Sequence, residues 1–132
     1  MPSPWDASIK LLYPTDKNTF FTVDDIAKGD AFDVIANVEI GENLNENVDK
    51  FDLRVAIVNV TKSSSVDVQV KSGALTPANN AAHLEEIRVP IPSGWNTKAD
   101  VGDVLQAVAS YKVTAGVNTD FSSAMSTTFV VS

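Results

Sequence analysis

The stretch that decides the fold class is FDVIANVEI, residues 32–40. Apolar side chains occupy every second position from Phe32 to Ile40, and polar residues such as Asp33 and Glu39 lie between them. Successive side chains of a β-strand point to opposite faces of the sheet. The spacing therefore predicts a half-buried antiparallel strand, with its apolar face in the core and its polar face in water.

Six further segments show the same alternation, and none of them shows the 3.6-residue period of a helix. The chain also contains 18 Val, 7 Ile and 10 Thr, whose branched Cβ atoms favour a pleated sheet over a helix. Pro90 and Pro92 cannot donate ladder hydrogen bonds, which predicts an edge position for their strand. The predicted strands are residues 8–13, 51–57, 66–70, 87–91, 105–113 and 127–131.

A chain of 132 residues with about seven short strands and turn residues between them fits one domain, residues 1–132. This arrangement is typical of an antiparallel β-sandwich of the immunoglobulin type, so the predicted fold class is all-β. We expect the apolar faces of the strands to form the core. The expected core residues are Phe32, Val34, Val38, Phe51, Leu53, Val55, Ile57, Val89, Leu105, Ala107, Ala109 and Tyr111.

One segment resembles the sixth strand of immunoglobulin-like and fibronectin type III-like modules: GDVLQAVASYKV, residues 102–113. In those modules a Gly-Asp pair often ends the preceding corner, and a long alternating strand follows. Residues 118–132 then resemble the last strand, and the likeness in architecture covers residues 5–132. The chain lacks the cysteine pair and the third-strand tryptophan of antibody-type domains. The resemblance therefore implies a fold and assigns no functional residue.

The charge balance and the length of the apolar runs argue against nucleic-acid partners and against membrane insertion. Ten Lys and Arg against seventeen Asp and Glu give a net charge of −7 and a pI near 4.4. The acidic surface repels phosphate backbones and the cations are scattered singly, so we expect no binding to DNA or RNA. The longest apolar runs are only a few residues, so we expect no membrane insertion. No signal-peptide pattern opens the sequence. A cell-surface or extracellular location and a cytoplasmic one both remain open, as does the oligomeric state.

Nothing in the sequence nominates a catalytic group. His83 is the only histidine and no nucleophile motif lies near it, so we expect it in an exposed loop and exclude a multi-histidine metal site. On a strand, Glu85 and Glu86 would point to opposite faces and could not act as a catalytic pair. The chain has no cysteine and no glycine-rich phosphate motif. We therefore expect no enzymatic activity and no organic cofactor.

A polar loop, residues 41–50, carries the densest cluster of oxygen donors and suggests weak Ca²⁺ binding. In an immunoglobulin-type arrangement this loop lies at the same end of the sandwich as the predicted loop 115–123. The same residues are also explained by a long polar hairpin that Asn and Glu side chains keep soluble, and this alternative stays open. Aspartates at the opposite end, among them Asp100 and Asp103, suggest a second possible Ca²⁺ site. The candidate metal ligands are Glu42, Asn45, Asp49 and Asp120.

These observations predict a class of function. The first hypothesis is a non-catalytic β-sandwich module that recognises a protein or glycan partner, or that spaces other modules at a surface. The alternatives are a structural protein that self-assembles and a hydrolase whose site is not visible in the sequence. Trp5 and Phe121, outside the predicted strands, offer rings on which a sugar could stack, while Trp95 is expected to plug one end of the core.

Overall fold

A computed structural model describes residues 6–132 and shows two packed β-sheets, so the predicted all-β sandwich is confirmed. No helix in these residues is long and apolar enough to cross a membrane. The described residues form nine strands and one short helix: β1 (Ala7–Asp16), β2 (Asp25–Ile26), β3 (Phe32–Ile40), α1 (Glu42–Asn45), β4 (Lys50–Asn59), β5 (Ser64–Ala74), β6 (His83–Ile91), β7 (Val104–Ala115), β8 (Asn118–Met125) and β9 (Phe129–Val131).

The chain crosses between the two sheets several times. The small sheet has the order β1–β3–β6 and is antiparallel. The large sheet has the order β2–β9–β7–β4–β5, and β8 also pairs with β7. Within the large sheet, β2 and β9 run parallel, whereas the other pairs are antiparallel. Segments far apart in the sequence therefore lie side by side, and one core fills the space between the sheets.

Seven of the nine strands overlap the predicted segments, and β2 and β8 are additional. The prediction of a loop at residues 115–123 was wrong, because β8 pairs with β7 over its whole length. The inward positions of β8 carry Asp120, Ser122 and Ala124, so no strong apolar face marks it as a strand in the sequence. Gly116, at φ 63°, lies in the turn that joins the two strands.

β8 and β9 follow one another along β7, with a break at Ser126. The Ser126 N–H donates to Ala107 O at 2.9 Å, and Ser126 Oγ accepts from the Ala107 N–H at 3.0 Å. A side-chain hydroxyl thus takes the place of a carbonyl in the ladder. The two strands together form the last strand of the sandwich, as the resemblance of residues 118–132 implied.

One register change in the large sheet alters its outer face. A bulge between Ile57 and Val58 leaves Val66 as an extra residue on β5, and Val66 is buried. Beyond the bulge Val68 and Val70 are exposed, at 47% and 55%. The predicted strand 66–70 has three valines on its apolar face, and the expectation that this face lies in the core was therefore wrong for Val68 and Val70, since one extra residue turns the neighbouring side chains to the other face.

Every predicted core residue is buried, with an exposed fraction of 7% or less. The largest buried side chains come from both sheets and include Tyr111, Phe32 and Leu53. Burial raises the pKa of the Tyr111 phenol. Trp95 plugs one end of the core as predicted: it is 5% exposed, its ring meets Phe32 edge-on with centroids 6.2 Å apart, and its Nε1 donates to Asp30 O at 2.9 Å.

On one side of the sandwich the free edges of β5 and β6 face each other. β6 carries Pro90 and pairs only with β3, so the predicted edge position is confirmed. Asp67 and Lys71 lie on the inward-facing side of β5 beside that gap, and Lys71 Nζ donates to Arg88 O on β6 at 3.0 Å. Inward-facing charges on an edge strand hinder pairing with another chain.

On the other side of the sandwich, side chains of β8 cover the free edge of β1. Asp120 Oδ2 accepts a hydrogen bond from the Ala7 N–H at 2.7 Å, and Ser122 Oγ accepts one from the Ile9 N–H at 3.1 Å. These contacts satisfy backbone donors that would otherwise lack a strand partner. The polar inward positions of β8 therefore serve to close the sandwich.

Candidate functional site

The segments 41–49 and 115–118 form one end of the sandwich, called the upper end below. The prediction that the segments 41–50 and 115–123 are neighbours is confirmed at Asp49 and Gly116. The Asp49 N–H donates to Thr114 O at 2.8 Å, and the Gly116 N–H donates to Asp49 Oδ2 at 2.7 Å. The Asp49 carboxylate therefore holds the turn between β7 and β8.

The other three predicted metal ligands lie in separate surroundings. Asn45 is 3% exposed, and its Nδ2 donates to Ala81 O at 2.9 Å, which fixes the loop before β6 against α1. Asp120 contacts the backbone of β1 through its Oδ2, as described above. Glu42 is exposed in the first turn of α1. The structure thus uses Asn45 and Asp120 as partners of main-chain groups.

No group of three His, Cys, Asp or Glu side chains within residues 6–132 is placed to hold a metal ion. Calcium binding by Glu42, Asn45, Asp49 and Asp120 stays a prediction, and it would require these side chains to rearrange. On this hypothesis, millimolar CaCl₂ raises the melting temperature relative to EDTA in a concentration-dependent way, and Asp49→Asn removes the rise. Melting curves that superimpose with and without calcium would contradict it.

The opposite end, called the lower end below, holds Asp100 and Asp103 in an ion-pair cluster. Lys62 Nζ contacts both carboxylates, and Lys28 Nζ lies 3.6 Å from Asp100 Oδ1. The hydrogen bond from Lys62 lowers the pKa of Asp100. Hydrogen bonds from the Asp100 N–H and then from Asn59 Nδ2 lower the pKa of Asp103. These carboxylates therefore already have cationic and N–H partners inside the protein.

His83 lies at the start of β6, so its prediction as an exposed loop residue was wrong. Its side chain is half-buried, and its Nε2 lies 2.9 Å from Glu85 Oε1. Glu85 pairs with Val38 and Glu86 with Asn37, so the two glutamates point to opposite faces of the small sheet, as predicted. They cannot act together on one bond.

A groove of about 420 Å³ lies on the outer face of the large sheet, across β5, β4, β7 and β8. The strand register brings its residues together: Asp52 pairs with Lys112, which pairs in turn with Phe121. One step along the strands, Arg54 lies between Val70 and Ser110. These positions alternate with core residues and therefore point outward. The lining residues are Asp52, Arg54, Val70, Ser110, Lys112 and Phe121.

The charged side chains of the groove have no charged partner within residues 6–132. Asp52, Arg54 and Lys112 form no ion pair there. Directly opposite and diagonal positions on neighbouring strands are nevertheless only about 5–8 Å apart. The groove thus presents one carboxylate acceptor, Asp52, and two cationic donors, Arg54 and Lys112, to the solvent on neighbouring strands.

Phe121 gives the groove an exposed aromatic ring. Its side chain is 68% exposed, and Lys112 Nζ lies 5.9 Å from the ring centroid. On β5, at the opposite side of the groove, Val70 is also exposed. Apolar side walls with charged groups between them suit a ligand that has an apolar face and polar edges.

Sequence reasoning identified one member of this groove. Phe121 was predicted as a ring for stacking, although in a loop and not on β8. The charged residues were recognised only as the polar sides of their strands, because alternation along one strand does not identify its neighbours. Trp95 is buried and unavailable for stacking. Trp5 lies outside the described residues.

Comparison with known proteins does not assign this chain to a family. No protein-family profile and no curated protein matches this sequence. Among solved structures, the chain is similar to part of a protein from Bacteroides fragilis assigned as a beta-galactosidase, with 15% sequence identity and a TM-score of 0.47. The match covers 95% of this chain and 17% of that protein. The function of this chain therefore has to be inferred from its own residues.

Proposed function

We propose that this protein is a non-catalytic recognition module that binds a glycan in the groove on the outer face of its large sheet. The observation that carries the proposal is the exposed ring of Phe121 beside charged side chains that form no ion pair in the described part of the chain, Arg54 and Asp52 among them. An aromatic ring stacks on the apolar face of a sugar. Charged side chains form strong hydrogen bonds with the polar groups at its edge.

The composition of the groove supports binding without catalysis. Most enzymes that hydrolyse glycosidic bonds use two carboxyl groups that flank the bond. The groove contains one carboxylate, Asp52, and the single histidine, His83, belongs to the other sheet. The proposal therefore assigns this domain a binding role and no hydrolytic step.

The order of the strands supports a place among immunoglobulin-like and fibronectin type III-like modules. β1, β3 and β6 form one sheet, while β4, β5, β7 and the final strands form the other, which is a Greek-key arrangement of two sheets. In such sandwiches a rigid scaffold presents the binding residues, and the domain also separates its neighbours in space. Both roles are compatible with one recognition surface on the large sheet.

Affinity gel electrophoresis with pectin, alginate, xylan and a β-glucan tests the proposal. We expect at least one of these polysaccharides to retard the protein, and Phe121→Ala to weaken that binding roughly tenfold through the loss of stacking. Phe21→Ala is the matched control, since Phe21 is 74% exposed and does not line the groove. No retardation by any of the four, or equal retardation of Phe121→Ala, would contradict the proposal.

Self-assembly through the same face is the alternative to glycan recognition, because Val68, Val70 and Met125 are also exposed there. Light scattering at high protein concentration measures the mass directly. We expect a monomer. A dimer that Phe121→Ala dissociates would favour a structural role for this face over glycan recognition.

A further inference from the structure

We propose that the groove selects anionic sugars, namely pyranose rings that carry a carboxylate, as in a uronic acid. This inference rests on the proposed function and goes beyond it, because a glycan-binding module need not prefer a charged ligand. It is drawn from the sign of the charge on this face, the identity of its cations and the protection of the neighbouring edge strand.

The face that holds the groove has the opposite charge to the protein. The chain as a whole has a net charge of −7. On the outward positions of β5, β4, β7 and β8, Lys50, Arg54 and Lys112 oppose only Asp52, a net charge of +2. A local positive field on an acidic protein attracts an anionic ligand to this face and repels it elsewhere.

The cations of this face differ from most others in the protein. Five of the ten Lys and Arg residues form ion pairs within residues 6–132: Lys10, Lys17, Lys28, Lys62 and Arg88. Three of the remaining five, Lys50, Arg54 and Lys112, lie together on the outer face of the large sheet. Among the described residues, the Lys and Arg side chains without an ion pair thus lie mainly on the outer face that holds the groove.

The groove residues can bind the carboxylate, the ring and the hydroxyl groups of such a sugar. The planar guanidinium of Arg54 offers two parallel N–H donors to a carboxylate. Lys112 lies beside the ring of Phe121, so a sugar stacked on that ring has a cation at its edge. Asp52 accepts hydrogen bonds from hydroxyl groups, and its charge disfavours a ligand with a carboxylate at that position. The volume of about 420 Å³ is within the range of small-molecule sites.

An acidic peptide is a less suitable occupant of this face. Peptides commonly bind sandwiches by adding a strand to a free edge. The edge of β5 next to the groove is protected by Asp67 and Lys71 on its inward-facing side. Protein interfaces also have an apolar centre and a polar rim, whereas here the charges of Arg54 and Asp52 are central and the apolar side chains lie at the flanks.

Calorimetric titration tests the inference with short oligomers of galacturonic, mannuronic and glucuronic acid, each compared with its methyl ester. The ester keeps the ring and removes the charge. We expect at least one acid to bind at least about tenfold more tightly than its ester in 150 mM salt. Arg54→Ala should remove that difference, and Arg54→Lys should restore part of it. Lys98→Ala is the matched control, because it removes a cation away from this face.

The outcomes separate the inference from the proposed function. Equal affinity for acid and ester, or binding of neutral polysaccharides alone, would overturn the preference for anionic sugars and leave glycan recognition intact. Absence of binding to every acid, ester and polysaccharide would overturn both. Stronger binding of polyglutamate or of a single-stranded oligonucleotide than of any uronic acid oligomer would assign the face to an acidic peptide or a nucleic acid instead. Loss of binding in Lys98→Ala equal to that in Arg54→Ala would show a general charge effect and contradict a site.

Discussion

Replacing Leu53 by alanine is expected to lower the free energy of unfolding by about 2–5 kcal/mol. Leu53 lies in the middle of β4, an inner strand of the large sheet, and its exposed fraction is 0%. Its neighbours across the strands are Tyr111 on β7 and Lys71 on β5. Because β4 is paired on both sides, the backbone cannot move in to fill the space left by the missing atoms, and a cavity remains.

Urea unfolding followed by circular dichroism measures this loss. The control is Val70→Ala, which removes aliphatic atoms from the opposite face of the same sheet. Because Val70 is 55% exposed, we expect a change within about 0.5 kcal/mol. Similar losses in the two variants would contradict the bulge at Val66 and the reversed alternation of β5 that follows from it.

Trp95→Ala is expected to lower the free energy of unfolding by about 3–5 kcal/mol. The indole closes the core from a segment outside the strands, edge-on to Phe32. Its removal also leaves the Asp30 carbonyl without the Nε1 donor. The variant should unfold at markedly lower urea concentration with an unchanged dependence on urea, since the surface exposed on unfolding stays nearly the same.

Trp95→Phe separates the two contributions. Phenylalanine retains an aromatic ring against Phe32 but cannot donate to Asp30 O. We expect this variant to lose roughly 1–2 kcal/mol, between the wild type and Trp95→Ala. If Trp95→Ala were as stable as the wild type, the ring would not close the core in solution.

The fold was largely predictable because most strands bury one apolar face. Alternation from Phe32 to Ile40, from Phe51 to Ile57 on β4 and along β7 marks strands whose inward side chains are all apolar there, either aliphatic or aromatic. The alternation did not mark β8, because Asp120 and Ser122 face inward to bind the backbone of β1. The register of β5 was missed because a bulge depends on its partner strand, which the sequence of β5 alone does not reveal.

The candidate site was much less predictable than the fold. Asp49 was predicted as a metal ligand because it is an oxygen donor in a polar loop. In the structure its carboxylate accepts a hydrogen bond from the backbone. The groove instead lies on the outer face of the large sheet, and its residues come from four strands. Arg54 and Lys112 are separated in the sequence by two whole strands, β5 and β6, and come together only through the pairing of β4 with β7.

The positions of β1 and β9 determine the direction in which a pulling force acts on the domain. β1 begins at the upper end, where the Gly41 N–H donates to Asp6 O, and β9 ends at the lower end, where the Gly102 N–H donates to Val131 O. A pull applied through Asp6 and Ser132 therefore acts along the strands and shears their hydrogen bonds.

Shear loads the bonds of a terminal strand together, whereas peeling would break them one after another. Hydrogen bonds from Ser132 N–H to Ile26 O and from Lys28 N–H to Ser132 O add to the ladder that must yield. Rupture of this kind is governed by the rate of unfolding and not by the equilibrium free energy. Under such a pull the hydrogen bonds of β1 and β9 bear the load first, whereas Arg54 and Lys112 lie on the inner pair β4–β7.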